Sequence, residues 1–150
     1  MEEKNIRGEW KMKNIPIRVK KLVKKWGTRN PFSLCKYLKI DILYHELGEV
    51  KGYFKKSMGK KIIILNENLD EFSMKIVLAH ELGHALLHYS KEISFMKEYY
   101  LLPKNSIWEY EANKFAAELL LDENIEYDIY SNRSIEHKIL GELEELKYMK

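Results

Sequence analysis

The segment covering residues 72–89 admits one local structure. It contains no proline, and apart from Ile76 and Val77 the residues flanking its centre are strong helix formers: Leu78 and Ala79 before it, Ala85, Leu86 and Leu87 after it. At the centre stands His80-Glu81-Leu82-Gly83-His84. On a helix, residues four apart lie one turn above each other on the same face. His80 and His84 therefore present two imidazole nitrogens to one point, and Glu81 lies about 100° round the helix from His80. The pattern is H-E-x-x-H: two histidines that can ligate one metal ion, and a carboxylate that reaches a metal-bound water without being a ligand itself. This is the arrangement of a zinc-dependent hydrolase.

The remaining composition leaves room for such a site in an ordinary globular protein. The chain has 150 residues, 45% hydrophobic and 33% charged, which fits one domain with a real core and a well-solvated surface. No stretch approaches the roughly 18 consecutive apolar residues of a membrane span. Met1-Glu2-Glu3-Lys4 is not followed by an apolar segment, so no secretory signal is expected. Cys35 is the only cysteine, which excludes an internal disulfide and fits a reducing compartment, so the expected location is the cytoplasm. The net charge of +3 hides an asymmetry: Lys4, Arg7, Lys11, Lys13, Arg18, Lys20, Lys21, Lys24, Lys25 and Arg29 gather early, and acids gather in residues 109–128. Because these lysines interleave with an apolar stripe, they read as a solvated helix face, and direct nucleic-acid binding is not expected.

Taken in order, residues 1–14 are polar and weakly patterned, and read as a loose arm or a short extra helix. Ile17, Val19, Leu22, Val23 and Trp26 follow helical spacing, closed by Gly27. Asn30-Pro31 reads as an N-cap with proline at the first helical position, leading a second helix that turns Phe32, Leu34, Cys35 and Leu38 to the core. At Ile40 the period becomes two. Ile40, Ile42 and Tyr44 alternate with Asp41 and Leu43, predicting a strand with a partly buried second face. Gly52-Tyr53-Phe54 and Lys61-Ile62-Ile63-Ile64-Leu65 add two strands joined by a turn at Ser57-Met58-Gly59, and the last, being the most apolar, takes the centre of a small three-stranded sheet. Residues 90–107 read as a loop or short helical turns broken by Pro103 and Asn105, residues 109–121 as a helix, and residues 134–149 as a final helix capped by Ser134. The expected fold class is α+β. It is one domain over residues 1–150, with a core at about 17–121 and a C-terminal extension at 122–150.

A catalytic zinc site takes three protein ligands and leaves one position open. The downstream candidates are His88, Glu109, Glu111 and His137. On a helical wheel of residues 109–121, Ala112, Phe115, Ala116, Leu119 and Leu120 define the apolar face. Glu109 and Asn113 fall within or beside that face, while Glu111, Lys114 and Glu118 fall opposite it. A carboxylate on a core-facing stripe is costly unless paired or bound to metal, whereas Glu111 is free to face water. Glu109 is thus the expected third ligand. Asn113, four residues on, can hydrogen-bond the second ring nitrogen of a ligating histidine, a spacing similar to the Glu-x-x-x-Asp of thermolysin-like enzymes. His88 can ligate only if the helix bends, and reads as a pocket-wall residue; His137 reads as a surface residue. His45-Glu46-Leu47-Gly48 copies four letters of the motif, but Glu49 stands where the second histidine belongs, and no helical periodicity surrounds it.

Taken together, Asn30-Pro31-Phe32, the strand Ile62-Ile63-Ile64-Leu65-Asn66, Ala79-His80-Glu81-Leu82-Gly83-His84 with His88, and Glu109-x-x-Ala112-Asn113-x-Phe115-Ala116-Ala117-x-Leu119-Leu120 resemble the ImmA/IrrE family of zinc metallo-endopeptidases. The resemblance spans residues 17–121 in the family's order. It departs at Leu120-Leu121-Asp122, where the family often has Leu-Met-Pro. It implies Zn2+ on His80, His84 and Glu109, with Glu81 as general base on a zinc-bound water. It also implies a protein substrate, a helix-turn-helix repressor of a phage or mobile element, here a separate protein because no such segment is evident in the chain. His88, Tyr89, Tyr99 and Tyr100 are candidates for the pocket wall or for a donor to the oxyanion. The alternative is a zinc-bearing binding module that sequesters a repressor or transcription factor without cutting it.

Overall fold

The computed structural model describes residues 13–88, the backbone of 94–96, residues 107–121, and residues 141, 144, 145 and 147. Two helices open it. In α1 (Ile15–Trp26), Asn14 caps the start by accepting from the Ile17 N–H, Pro16 lies in the first turn, and Gly27, in the left-handed region at φ 70°, closes the end by donating to the Val23 carbonyl. In α2 (Pro31–Tyr37), the Asn30 side chain accepts from the Phe32 N–H, as the Asn-Pro pair predicts. Trp26 stacks on Tyr37 with ring centroids 5.4 Å apart and fixes the two helices side by side.

Strands β1 (Asp41–His45), β2 (Gly52–Ser57), β3 (Lys60–Asn66) and β4 (Ser94–Met96) form one mixed sheet in the order β1-β3-β2-β4. The β2–β3 hairpin closes through Met58 and Gly59, both at positive φ, the conformation of a tight two-residue hairpin turn. β3 runs parallel to β1 and antiparallel to β2, so the most apolar strand is interior, as its composition predicts. Two details differ from the sequence reading. β1 is an edge strand with Leu43 and Tyr44 exposed, because helix α3 (Glu71–Leu87) lies over β2 and β3 while β1 meets α2. The segment expected to be a loop also contributes β4, which makes the sheet four-stranded. A three-residue strand carries too few residues to show a period of two.

The core is the layer between sheet and helices. Phe54, Ile63 and Leu65 from the sheet meet Ile76, Val77, Leu82 and Ala85 of α3 and Phe115, Ala116 and Leu119 of α4 (Ile107–Leu120). A Cβ on Gly52 would come within 2.7 Å of Val77 Cγ1 and 2.9 Å of the Ile64 carbonyl oxygen, so the missing side chain sets how closely α3 lies on the sheet. Arg29 donates to the Glu118 and Leu119 carbonyls and ties the α1–α2 connection to the end of α4. These elements make an α+β arrangement. Among the described residues no helix is long and apolar enough to cross a membrane.

Candidate metal centre

Helix α3 starts at Asp70, whose carboxylate accepts from the Ser73 N–H at 2.7 Å, and runs without interruption to Leu87. It is buried on nearly every side through residues 76–85, which is why its apolar residues show no single stripe. Against it lies α4, and at Gly83 the two helices are in tight contact. A Cβ there would stand 3.2 Å from Ala112 Cα and from Phe115 Cβ. The glycine of the motif therefore does not take part in the chemistry; it lets α4 approach α3 until the first turn of α4 reaches the two histidines.

That approach brings Glu109 to His80 and His84. One Glu109 oxygen stands 3.2 Å from His80 Nε2 and the other 2.9 Å from His84 Nε2, and the three residues' donor atoms all lie within 4.8 Å of one another. Neither Nε2 has the geometry of a directed hydrogen bond, although both are buried. The far sides of the rings are held: His80 Nδ1 lies 2.7 Å from Asn113 Oδ1, and His84 Nδ1 lies 2.8 Å from His88 Nδ1. Two buried side chains and a Glu109 that is 34% exposed leave the cluster open to solvent on one side. Glu81, beside it, is fully buried, and no other side chain holds either carboxylate oxygen.

The chain matches the IrrE N-terminal-like domain family of peptidases over residues 35–146. It is 41% identical over 108 residues to "Uncharacterized immunity region protein 2" of Bacillus phage phi105, covering 71% of this chain and 68% of the relative. It is 33% identical over 115 residues to "Metallopeptidase ImmA" of Bacillus subtilis (strain 168), covering 75% of this chain and 66% of the relative. The chain belongs to the ImmA/IrrE family of metallopeptidases. It spans about two thirds of the length of each of these relatives. No solved structure matches it significantly.

In this ImmA/IrrE chain the electrostatics of the cluster call for a cation. Burial pushes the His84 imidazole down to about 4, against the pull of Glu109 and with His80 adding to the effect. The same burial presses on His80, but the nearby Glu109 carboxylate and the charge of Glu81 outweigh it and raise His80 above the usual imidazole value. Burial would raise Glu109, yet the two histidines keep it far below the usual carboxylate range. Glu81 is pushed up to about 8 by burial, with His80 and the Phe54 backbone opposing and Glu109 adding. The Glu109 charge makes ionisation of the buried Glu81 harder, and a positive ion on the cluster would relieve that cost. A divalent metal ion fits: two unpartnered imidazole nitrogens and a carboxylate face one point, and their outer nitrogens are already held.

The structure brings His80, Glu81, His84, Glu109 and Asn113 together, the five residues the sequence singles out. Glu111 needs correction. Expected to face water, it is 2% exposed and accepts from the Lys13 backbone N–H at 2.8 Å, with His88 Nε2 3.1 Å from its other oxygen. The helical wheel took one apolar stripe as the whole buried surface, but α4 packs on α1 as well as α3, and Glu111 lies on that second buried side. The carboxylate stays below the usual range: burial raises it, and the bonds from His88 and Lys13 more than offset this. His88 is buried against Trp108 with both ring nitrogens engaged, which leaves it no free donor for an oxyanion. The repeat of a four-residue spacing from His84 to His88 was the sequence's hint of their contact; nothing local pointed to Glu111 or Lys13. Tyr89, Tyr99, Tyr100 and His137 lie outside the described residues, as do residues 1–12 of the expected arm and most of the final helix, which is helical at Gly141, Glu144, Glu145 and Lys147. His45 ends β1, and Glu46 accepts from the Gly48 N–H in the turn that follows, so the copied motif has no helix to act on.

Proposed function

We propose that this protein is a zinc-dependent endopeptidase of the cytoplasm that cuts a helix-turn-helix repressor encoded near its own gene. The observation that carries this reading is the convergence of His80 Nε2, His84 Nε2 and Glu109 beside a buried Glu81 that no other side chain holds. Three convergent ligands with one side open to solvent fit a catalytic ion better than a structural one, which has four protein ligands and a closed shell. The names of the two relatives, one from a phage immunity region and one a metallopeptidase, support a protease acting on phage or mobile-element immunity.

His80, His84 and Glu109 would hold the zinc, which supplies Lewis acidity towards a peptide carbonyl and lowers the pKa of water towards roughly 7. Asn113 and His88 keep the two rings from turning away. As water adds to the peptide carbonyl, a Glu81 oxygen takes the proton; when the C–N bond breaks, the same oxygen delivers it to the leaving amine. Glu81 suits this work because no other side chain holds either of its oxygens. The open side at Glu109 is where a peptide enters.

The test is incubation of the purified protein with the repressor from the adjacent gene, with and without a chelator, alongside Glu81→Gln. Discrete fragments that vanish with chelator and in Glu81→Gln are expected. A stable complex without fragments would replace the protease by a sequestering module, and cleavage that survives in Glu81→Gln would remove Glu81 as the base.

A further inference from the structure

A polar chain runs outward from the ligand His84 through the buried His88 and Glu111 to Lys13, and its outer two members have no part in the reaction as described. His84 Nδ1 and His88 Nδ1 are 2.8 Å apart, His88 Nε2 and Glu111 Oε1 are 3.1 Å apart, and the other Glu111 oxygen accepts from the Lys13 N–H at 2.8 Å. The Lys13 ammonium adds charge at 3.6 Å from Oε1. His88 and Glu111 are 3% and 2% exposed, so no water competes for these bonds.

The chain has a direction, and one end fixes it. A carboxylate at Glu111 only accepts, so His88 Nε2 must carry the hydrogen. A neutral imidazole carries one hydrogen, which leaves His88 Nδ1 as an acceptor. Its partner, His84 Nδ1, must then be the donor. That places the lone pair of His84 on Nε2, the nitrogen facing Glu109 and His80. The opposite direction would set a bare His88 nitrogen against a carboxylate oxygen and put a hydrogen on His84 Nε2, where no metal could take it.

We propose that His88 and Glu111 are positioning residues that select the metal-binding tautomer of His84, with Glu111 acting through His88. The inference rests on the reading that His84 Nε2 holds the zinc. The two ligating rings are then held differently. His80 donates to a neutral amide, Asn113, whereas His84 feels a carboxylate through a second imidazole and is the stronger donor of the two. Lys13 draws the residue before α1 into the same chain, so the entry to α1 is pinned to the far end of the relay.

Zinc affinity measured by competition with a chromophoric chelator tests this on the full chain, with melting temperatures in chelator reporting the fold of each variant. His88→Phe and Glu111→Ala should each weaken zinc binding about 10- to 100-fold. The double variant should lose little more than either alone, because both cut one chain. His88→Asn should keep near-native affinity, since its Oδ1 takes the place of Nδ1 as acceptor, and adding Glu111→Ala in that background should cost little. Long-range proton–nitrogen NMR of the zinc-loaded wild type should find His88 protonated at Nε2 and bare at Nδ1, a measurement that stands even if Glu111→Ala does not fold. The opposite tautomer, single variants with unchanged affinity, or losses that add in the double variant would each overturn the relay while leaving the zinc site intact. A wild type that takes up no zinc would instead remove the site itself, and the relay with it.

Discussion

Asn113 Oδ1 lies 2.7 Å from His80 Nδ1, with both side chains buried and the two residues on different helices. An amide oxygen can only accept, so His80 carries a hydrogen on Nδ1, which leaves Nε2, the nitrogen facing Glu109, as the one that can take a metal. Asn113→Ala should therefore weaken zinc binding about tenfold or more. Asn113→Asp keeps the acceptor and should hold affinity at or above the native level. Chelator competition measures both, and an alanine variant that binds as tightly as wild type would remove Asn113 from the site.

Gly83→Ala separates packing from chemistry. The added methyl meets Ala112 Cα and Phe115 at 3.2 Å, and backbone cannot swing aside as a flexible side chain can. Overpacking of this kind costs about 1–3 kcal/mol, against a gain of about 1 kcal/mol from replacing glycine inside a helix. The net effect on the metal-free protein should thus be a destabilisation of about 0–2 kcal/mol, read as a fall of at most several degrees in melting temperature. Zinc affinity should fall several-fold nonetheless, because α4 carries Glu109 and moves with the contact. Unchanged affinity would mean that Glu109 is placed independently of this helix contact.

In the metal-free protein, Glu81 should make stability fall as pH rises. Its folded value of about 8 lies above the ordinary 4.5, so between those values the folded state holds a proton that the unfolded state has released. Stability therefore declines as pH rises through this window, and the decline is complete above pH 8. Glu81→Gln carries no such charge. Its advantage over wild type in chelator should be near zero at pH 4 and grow to the order of a few kcal/mol at pH 8. Denaturant titrations across that range decide it, and an advantage that does not change with pH would mean that the carboxylate is not held protonated.

Cys35 should be inert in the native protein. It lies in the core at 0% exposure, and burial pushes its thiol up to about 12. Thiolate is the reactive form, so a disulfide reagent at pH 8 should label it only as fast as the core opens, and promptly once denaturant is added. Fast stoichiometric labelling without denaturant would contradict the packing of α2 against α3.

Much of this protein is legible along the chain because the forces that set it are local. Helical spacing alone places His80 and His84 one turn apart on one face with Glu81 beside them, and the Asn30-Pro31 pair marks where a helix begins. The apolar run at Ile62-Ile63-Ile64-Leu65 announces an interior strand. A wheel of α4 brings out Glu109 and Asn113 because a polar residue on a buried face demands a partner. The same wheel fails at Glu111, since a wheel knows one helix and one core, whereas α4 is covered from two sides by α3 and α1. Strand β4 is too short to carry a pattern, and the link from Lys13 through Glu111 and His88 to His84 joins residues up to 98 positions apart. The sequence by itself determined the ligand-bearing helix and the chemistry its residues can offer. The tertiary structure alone decided that Asn113 meets His80 and that Glu111 backs His88, because a hydrogen bond across helices exists only once the helices have packed to bring its atoms within about 3 Å.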